Sequence, residues 1–541
     1  MRGRLASVPR AAWWCALAML LNGLAWSLIV PPFEVPDENA HYAYVQQIAE
    51  RGTVPRLVYP EGPISPAVDT MLGATLFYQI VGEPENPAPL SQLQQQAVEN
   101  AGNEGLSTVG DGDANSATNN PPLYYALEAV PYEIGSGGTV LDRLVLMRLM
   151  SVLMAAITVL LIFMFLAELL PGTPWAWTAG ALVAAFQPLF SFISSGVNSD
   201  NLLYLASAGL LWALARSFRR GLTLGGGALI GGFLATGLLT KFTMIGLIPA
   251  AVAGTALAAL RLWRGERPRA EAIRSERPHA ASARSDERSR AAPQGSDERP
   301  RAASGRSEPV RAVPGTRAIA LRATATAVTV AAVPVVVYLL INRFVWGRGA
   351  VPGGVAGASA VPGSAISFSL REELSHVWQL FLPAIGGMKH QFTYVPLWKT
   401  WFKGFFGRFG WLDYKFPYHF YVYALVVCIA LLAVALFGLI RERRAVRRRV
   451  WELGVYVLVL LGICGEVGVQ SYREYVQTAG VGQFEQARYL LPMLGLYAAI
   501  AAIIARSGGR RWGPAIGVAL VMLAVGHDIG SQLITVARYY T

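Results

Sequence analysis

Charge is what this sequence has least of: only 15% of its 541 residues are Asp, Glu, Lys or Arg, against 53% hydrophobic ones. Soluble domains carry about 25% charged residues, so an ordinary soluble enzyme is excluded. Cysteine is nearly missing as well. The three present, Cys15, Cys428 and Cys464, fall inside apolar stretches with no paired spacing, which argues against a disulfide framework, redox chemistry or a metal cluster. Also missing is the alternation of apolar and polar residues over about 10-residue strands that marks a transmembrane barrel. What the chain does have is a mean hydropathy of +0.39 and about eleven apolar stretches near the roughly 20 residues that a helix needs to cross a bilayer. Its net charge of +12 would suit nucleic acid, but most arginines lie in short loops between those stretches, where they report topology and no nucleic-acid partner. The sequence therefore predicts an all-α polytopic membrane protein embedded in the lipid bilayer.

The predicted spans run at 12–31, 143–169, 175–194, 199–215, 222–239, 242–262, 318–341, 418–440, 450–470, 487–505 and 512–533. Basic clusters at Arg2, Arg4 and Arg10, at Arg216, Arg219 and Arg220, across 261–322, at Arg441 to Arg449 and at Arg506, Arg510 and Arg511 all land on one side of such a bundle. By the positive-inside bias that side is cytoplasmic, so the long segments 32–142 and 342–417 are expected outside. The first span is too long, and lacks the small-residue pattern, for a cleaved signal, and is read as an anchor. This divides the chain into an amino-terminal transmembrane module, 1–262, a linker, 263–317, and a carboxyl-terminal module, 318–541. The linker's repeated Arg-Ser-Glu/Asp and Glu-Arg-Pro units read as disordered and cytoplasmic. Residues 91–120, rich in Gln, Asn, Gly and Ser, read as a mobile part of the first outer loop. In 371–417, Trp378, Phe381, Trp398, Trp401, Phe402, Phe405, Phe406, Phe409 and Trp411 are interleaved with Lys389, Lys399, Lys403 and Arg408, which suits short helices lying in the outer interface.

The strongest local signal, Pro31-Pro32-Phe33-Glu34-Val35-Pro36-Asp37-Glu38-Asn39-Ala40-His41, follows the first span directly. If a helix starts at Asp37, His41 shares its face one turn on, and Glu38 lies about 100° around. A carboxylate or imidazole held rigidly just above the bilayer suits acid/base work on a hydroxyl. The plainer alternative is an Asp cap, a solvated Glu and a packed His. In the turn 194–200, Asn198 or Ser199 can cap the next span, which gives Asp200 in its first turn a structural explanation. Lys241 is either a headgroup anchor or a ligand for an anionic substrate. Arg148 either snorkels or binds phosphate, and Arg488 either clamps phosphate or pairs with Glu485. His527, Asp528 and Glu466 are further polar groups inside spans. The run Asp111–Asn115 opens like a calcium loop but lacks its glycine and closing carboxylate, and Gly227-x-x-x-Gly231 fits close helix packing and not a phosphate loop.

Taken in order, PPFEVPDENAH, NPPLYYAL at 120–127, RLMSVL in the second span, VNSDNL at 197–202, LTKFT at 239–243, GRFGWLDY at 407–414 and QARYLLP at 486–492 resemble a bacterial membrane-protein family of unknown function within the GT-C glycosyltransferase superfamily. Protein O-mannosyltransferases and lipid A aminoarabinose transferases are its better-understood relatives. The resemblance covers most spans but not the linker, and Ala487 stands where members commonly have Gly. It implies a GT-C-like fold and transfer of a sugar from a polyprenyl-phosphate donor to a hydroxyl acceptor at the outer face of the cell membrane. It also implies Asp37 as catalytic base, with Glu38 assisting or holding a divalent cation such as Mg or Mn together with Asp37 and His41. His41, Arg148, Asn198, Asp200, Lys241, Asp413, Arg488 and Tyr489 are the expected substrate-binding residues. The opposing readings are a polyprenyl-lipid or polysaccharide transporter or flippase, which would place ionisable pairs at the bilayer midplane, and a non-catalytic envelope assembly protein, which needs no base.

Overall fold

A computed structural model describes residues 8–55, 64–82, 91–105, 117–266, 316–348, 369–477 and 485–540. The calls on the linker at 267–315, on 106–116 and on the outer segment 349–368 lie outside the described residues. The rest is helical, with a two-residue antiparallel hairpin, Arg408–Phe409 with Tyr414–Lys415, as the one sheet among the described residues. Among the described residues, eight helices are long and apolar enough to cross a membrane, or nine if a bent pair is one span. The expected eleven stretches are all helical, but two fall short of that standard. Asp200–Arg220 has polar ends and sits almost wholly inside the bundle, where protein and not lipid surrounds it. Leu224–Leu238 has 15 residues, about 22 Å of helix against a hydrocarbon core of about 30 Å.

The stretch expected as one span at 175–194 breaks into Pro174–Ala185 and Pro188–Ser194, bent by 59°. Pro188 removes an amide and restrains the residue before it, and the Gln187 side chain restarts the helix by accepting from the Phe190 amide at 2.6 Å. Gly227 and Gly231 let Leu224–Leu238 press directly on the backbone of Thr316–Phe344: a Cβ at either would run into the carbonyls of Ala323 and Ala327. That is the close packing expected of the motif.

The described residues between the first two spans fold into a cap with a core of its own. Helices Glu38–Arg51, Pro66–Ala74, Gln92–Asn103 and Leu123–Ile134 enclose Phe33, Tyr42, Tyr44, Met71, Leu72, Tyr124, Tyr125 and Tyr132. Gln92–Asn103, within the stretch expected to be mobile, is a helix whose Ser91 and Gln94 close a capping box and whose Ala101 is buried. Within the aromatic and basic segment lie the helix Leu370–Phe381, the short helical turns Leu397–Phe402 and Lys403–Gly407, and the hairpin.

Candidate active site

Two turns of chain meet here, 31–37 after the first span and 194–200 after the bent helix, and Glu38 joins them. Fully buried at the start of its helix, Glu38 accepts from the backbone amides of Phe33 and Val197, both at 2.9 Å. Arg148 of the second span grips the same carboxylate in a two-pronged contact, Nε at 2.8 Å and Nη2 at 2.6 Å, and donates onward to the carbonyls of Ser27, Val30 and Pro31. This is the geometry of a dry, bidentate ion pair. Neither Glu38 nor Arg148 is therefore open to a ligand: Glu38 is placed neither to assist Asp37 or hold a cation, as expected, nor as the solvated residue of the plainer alternative, and Arg148 neither snorkels nor lines the cleft. Gly196 allows the two turns to touch, since a Cβ there would lie 2.6 Å from that of Val35.

With Glu38 fixed, Asp37 is forced into the left-handed region, φ 65°, as is Phe33, φ 66°. Such conformations in residues other than glycine are costly and gather at functional sites. Asp37 stands at the helix start but its side chain caps nothing. It reaches instead across the fold to Arg488, which enters the ion pair through Nη2 and also donates to the Pro36 carbonyl at 3.2 Å. The Arg488 side chain is 3% exposed and that of Asp37 29%, so the acid, and not the base, faces the open. Burial works to raise the Asp37 carboxyl, but the Arg488 guanidinium outweighs it and holds the group below the ordinary carboxylate range.

The remaining charges form a chain from there. Arg488 Nε lies 3.9 Å from Asp200, whose other oxygen accepts from Lys241 at 2.6 Å. Arg488 and Lys241 both stand over the ring of Tyr489, at 5.2 Å and 5.3 Å. Asn198 plays two parts, accepting from the Asp200 amide at 3.0 Å in an Asx turn ahead of the helix, whose N-cap is Ser199 with no side-chain cap bond, and donating to the Pro36 carbonyl at 3.1 Å. Sequence reasoning thus names six residues that the fold brings together: Asp37, Asn198, Asp200, Lys241, Arg488 and Tyr489. Arg488 does not pair with Glu485, which accepts from Ser471 at 2.5 Å.

His41 lies behind this group, buried, with Nδ1 2.9 Å from the Tyr125 hydroxyl and its ring stacked on that tyrosine. Burial depresses it to about 3, so it is a neutral packing group at ordinary pH. With both Glu38 oxygens and His41 Nδ1 engaged, Asp37, Glu38 and His41 do not fit a shared metal ion; among the described residues no three His, Cys, Asp or Glu side chains are grouped to hold one. Asp413 is also elsewhere. From the hairpin it accepts from Arg538 at 2.9 Å, and the neighbouring Tyr539 donates at 3.2 Å to Glu34 of the first-loop motif. Glu34 was not singled out from sequence; a carboxylate among Pro32, Phe33 and Val35 was its signal. Burial first, then Asp413, push it up to about 8.

Beside the ion pair opens a cleft of about 660 Å³, counted out to its mouth, between the bent helix, the aromatic segment and the 485–488 turn. Pro36 and Arg488 line it together with the polar Tyr394, Lys399, Arg408, Glu485 and Gln486 and the apolar Leu189, Phe192 and Ile193. Lys399 and Arg408 are the basic residues of the 371–417 segment that reach it. Ala487 closes the turn against Gly404, where a Cβ would lie 2.7 Å away. Set against known proteins, residues 20–497 match the model of a family described as predicted membrane protein, DUF2142. No curated protein and no solved structure matches the chain.

Proposed function

We propose that this chain, which belongs to that DUF2142 family of membrane proteins, is a GT-C type glycosyltransferase of a bacterial cell membrane. In this reading it moves a hexosyl or pentosyl group from a polyprenyl-phosphate carrier to a hydroxyl of an envelope glycan, lipid or protein at the outer face. One observation carries the reading: a partly exposed carboxylate, Asp37, is held in a strained backbone just after the first span by a buried arginine that also lines a basic cleft. Two unlike tasks are thereby joined within one contact. Asp37 accepts the acceptor's proton as its oxygen attacks the anomeric carbon, and the bond from that carbon to the phosphate oxygen breaks. The phosphate leaves with the bonding electrons, its charge balanced by Arg488 with Lys399 and Arg408 along the wall.

The ion pair also tunes the base. Paired with Arg488, Asp37 is ionised but weakly basic; a donor phosphate that draws Arg488 toward itself raises the carboxylate's proton affinity as the substrate arrives. Lys241 and Asp200 keep Arg488 aligned from behind, and Glu38 and Arg148 act as a rigid frame without touching substrate. The test is incubation of the purified protein with a lipid extract containing labelled polyprenyl-phosphate sugars. A sugar-bearing hydroxyl product supports the reading. Passage of the carrier across vesicles with no product replaces it with a flippase, and neither outcome leaves a scaffold.

A further inference from the structure

One carboxylate of the cleft beside Arg488 takes no part in the Asp37 ion pair or in the chain of charges behind it. Among the described residues that line this cleft, Glu485 is the one acid, set against Lys399, Arg408 and Arg488. None of the three is paired with it. Arg488 is turned to Asp37 and Asp200, Lys399 stands 4.6 Å over the ring of Tyr394, and Arg408 donates to the Leu412 carbonyl at 3.0 Å.

What holds Glu485 instead is a line of hydrogen bonds running into the protein. Ser471, buried on the helix Val450–Gln477, donates to Glu485 Oε1 at 2.5 Å. Its proton thus committed, the Ser471 oxygen accepts from Nε2 of His376 at 2.7 Å. His376, on Leu370–Phe381, is buried too: its Nδ1 lies 2.7 Å from Gln391 Oε1, and the ring of Phe392 packs 4.8 Å away. Residues from separate segments of the chain thereby fix one oxygen of one carboxylate. The other, Oε2, has no hydrogen-bond partner among the described residues. A salt bridge to Lys399 or Arg408 would pin the 485–488 turn as well, but it would quench the charge. Holding the group through a neutral hydroxyl leaves a carboxylate oxygen of fixed position available to the cleft.

We propose that Glu485 is the sugar-recognising residue of the cleft: its Oε2 accepts from a hydroxyl of the substrate's sugar, and Ser471 and His376 are positioning residues behind it. This rests on the reading of the cleft as the donor site. A carboxylate repels phosphate, which goes to the guanidinium and ammonium groups, whereas a sugar hydroxyl donates to it in a charge-assisted bond. The acid and the bases of the cleft thus sort the two halves of a sugar phosphate and set its direction. An acceptor whose position is fixed by partners behind it discriminates strongly against a ligand with no hydroxyl to offer.

The test is binding of farnesyl phosphodiesters to the full chain in detergent, a panel of hexose and pentose esters against farnesyl methyl phosphate, which has the same charge and no sugar. The parent should bind at least one sugar ester about tenfold more tightly than the methyl ester. Glu485→Met, similar in length, should bring the two to near parity while binding the methyl ester no more weakly, which also shows that the variant is folded. Ser471→Ala should lower the preference about threefold and Ser471→Thr, which keeps the hydroxyl, should restore it. A parent with no preference for any sugar ester, or a Glu485→Met variant that keeps the full preference, overturns the assignment and leaves the donor cleft standing. A parent that binds none of the phosphodiesters removes the donor cleft itself, and the assignment with it.

Discussion

Replacing Arg148 by Met should destabilise the protein more than any change to the exposed ion pairs. The perturbation removes two contacts to a carboxylate that is fully buried and strips donors from three carbonyls, Ser27, Val30 and Pro31. Two amide donors, Phe33 and Val197, remain on Glu38 and offset part of the loss. Breaking a buried pair from one side typically costs about 3 to 5 kcal/mol, and that is the expected loss in denaturant unfolding of the detergent-solubilised protein. Adding Glu38→Gln to Arg148→Met removes the stranded charge while leaving an oxygen for an amide donor. The double variant should therefore be more stable than Arg148→Met alone. A loss below about 1 kcal/mol for Arg148→Met, or a double variant no better than the single one, would refute the frame assigned to this pair.

Three further outcomes follow from the same geometry. Glu34 ionises near 4.5 when unfolded and near 8 when folded, so the folded form holds more protons between those values; stability should fall as pH rises through that window, and Glu34→Gln should flatten the decline. Gly196→Val, which forces a Cβ into Val35, should lower the unfolding midpoint and loosen both turns, seen as faster amide exchange at Val197. In a background lacking the three native cysteines, a cysteine at Glu133 should react with an impermeant reagent from outside and one at Arg444 should not; labelling of both from outside would break the topology.

What was legible in the sequence was local or periodic. Apolar runs located the helices, and the Gly227 and Gly231 spacing announced a close contact. The break at Gln187 was missed although Pro188 marked it, because hydropathy runs straight through 175–194. Asp200–Arg220 shows the limit of counting spans: a helix sheathed in protein does not need lipid-like ends. At the candidate site the fold gathers six of the residues singled out from sequence, yet their partners could not be read. Asp37 and Arg488 stand 451 positions apart, and Glu38 and Arg148 110. An acidic residue after Pro36 reads as a cap, and only the fold reveals that Glu38, by holding the Phe33 and Val197 amides, turns Asp37 away from its helix. Arg538 and Tyr539 escaped notice because they follow the last apolar run, although their helix continues to Tyr540.

The central claim is that Asp37 acts as a base, and the most direct measurement compares sugar transfer by the parent protein, Asp37→Asn and Glu38→Gln with the same lipid-linked donor. Asp37→Asn keeps the shape and a hydrogen-bonding oxygen but cannot take the proton, so turnover should drop by about 10² to 10⁴ while donor binding persists. Glu38→Gln, altering the frame, should lower stability before it lowers the rate per folded molecule. Full transfer by Asp37→Asn would contradict the account, and would do so most sharply if Glu38→Gln, still folded, had lost it.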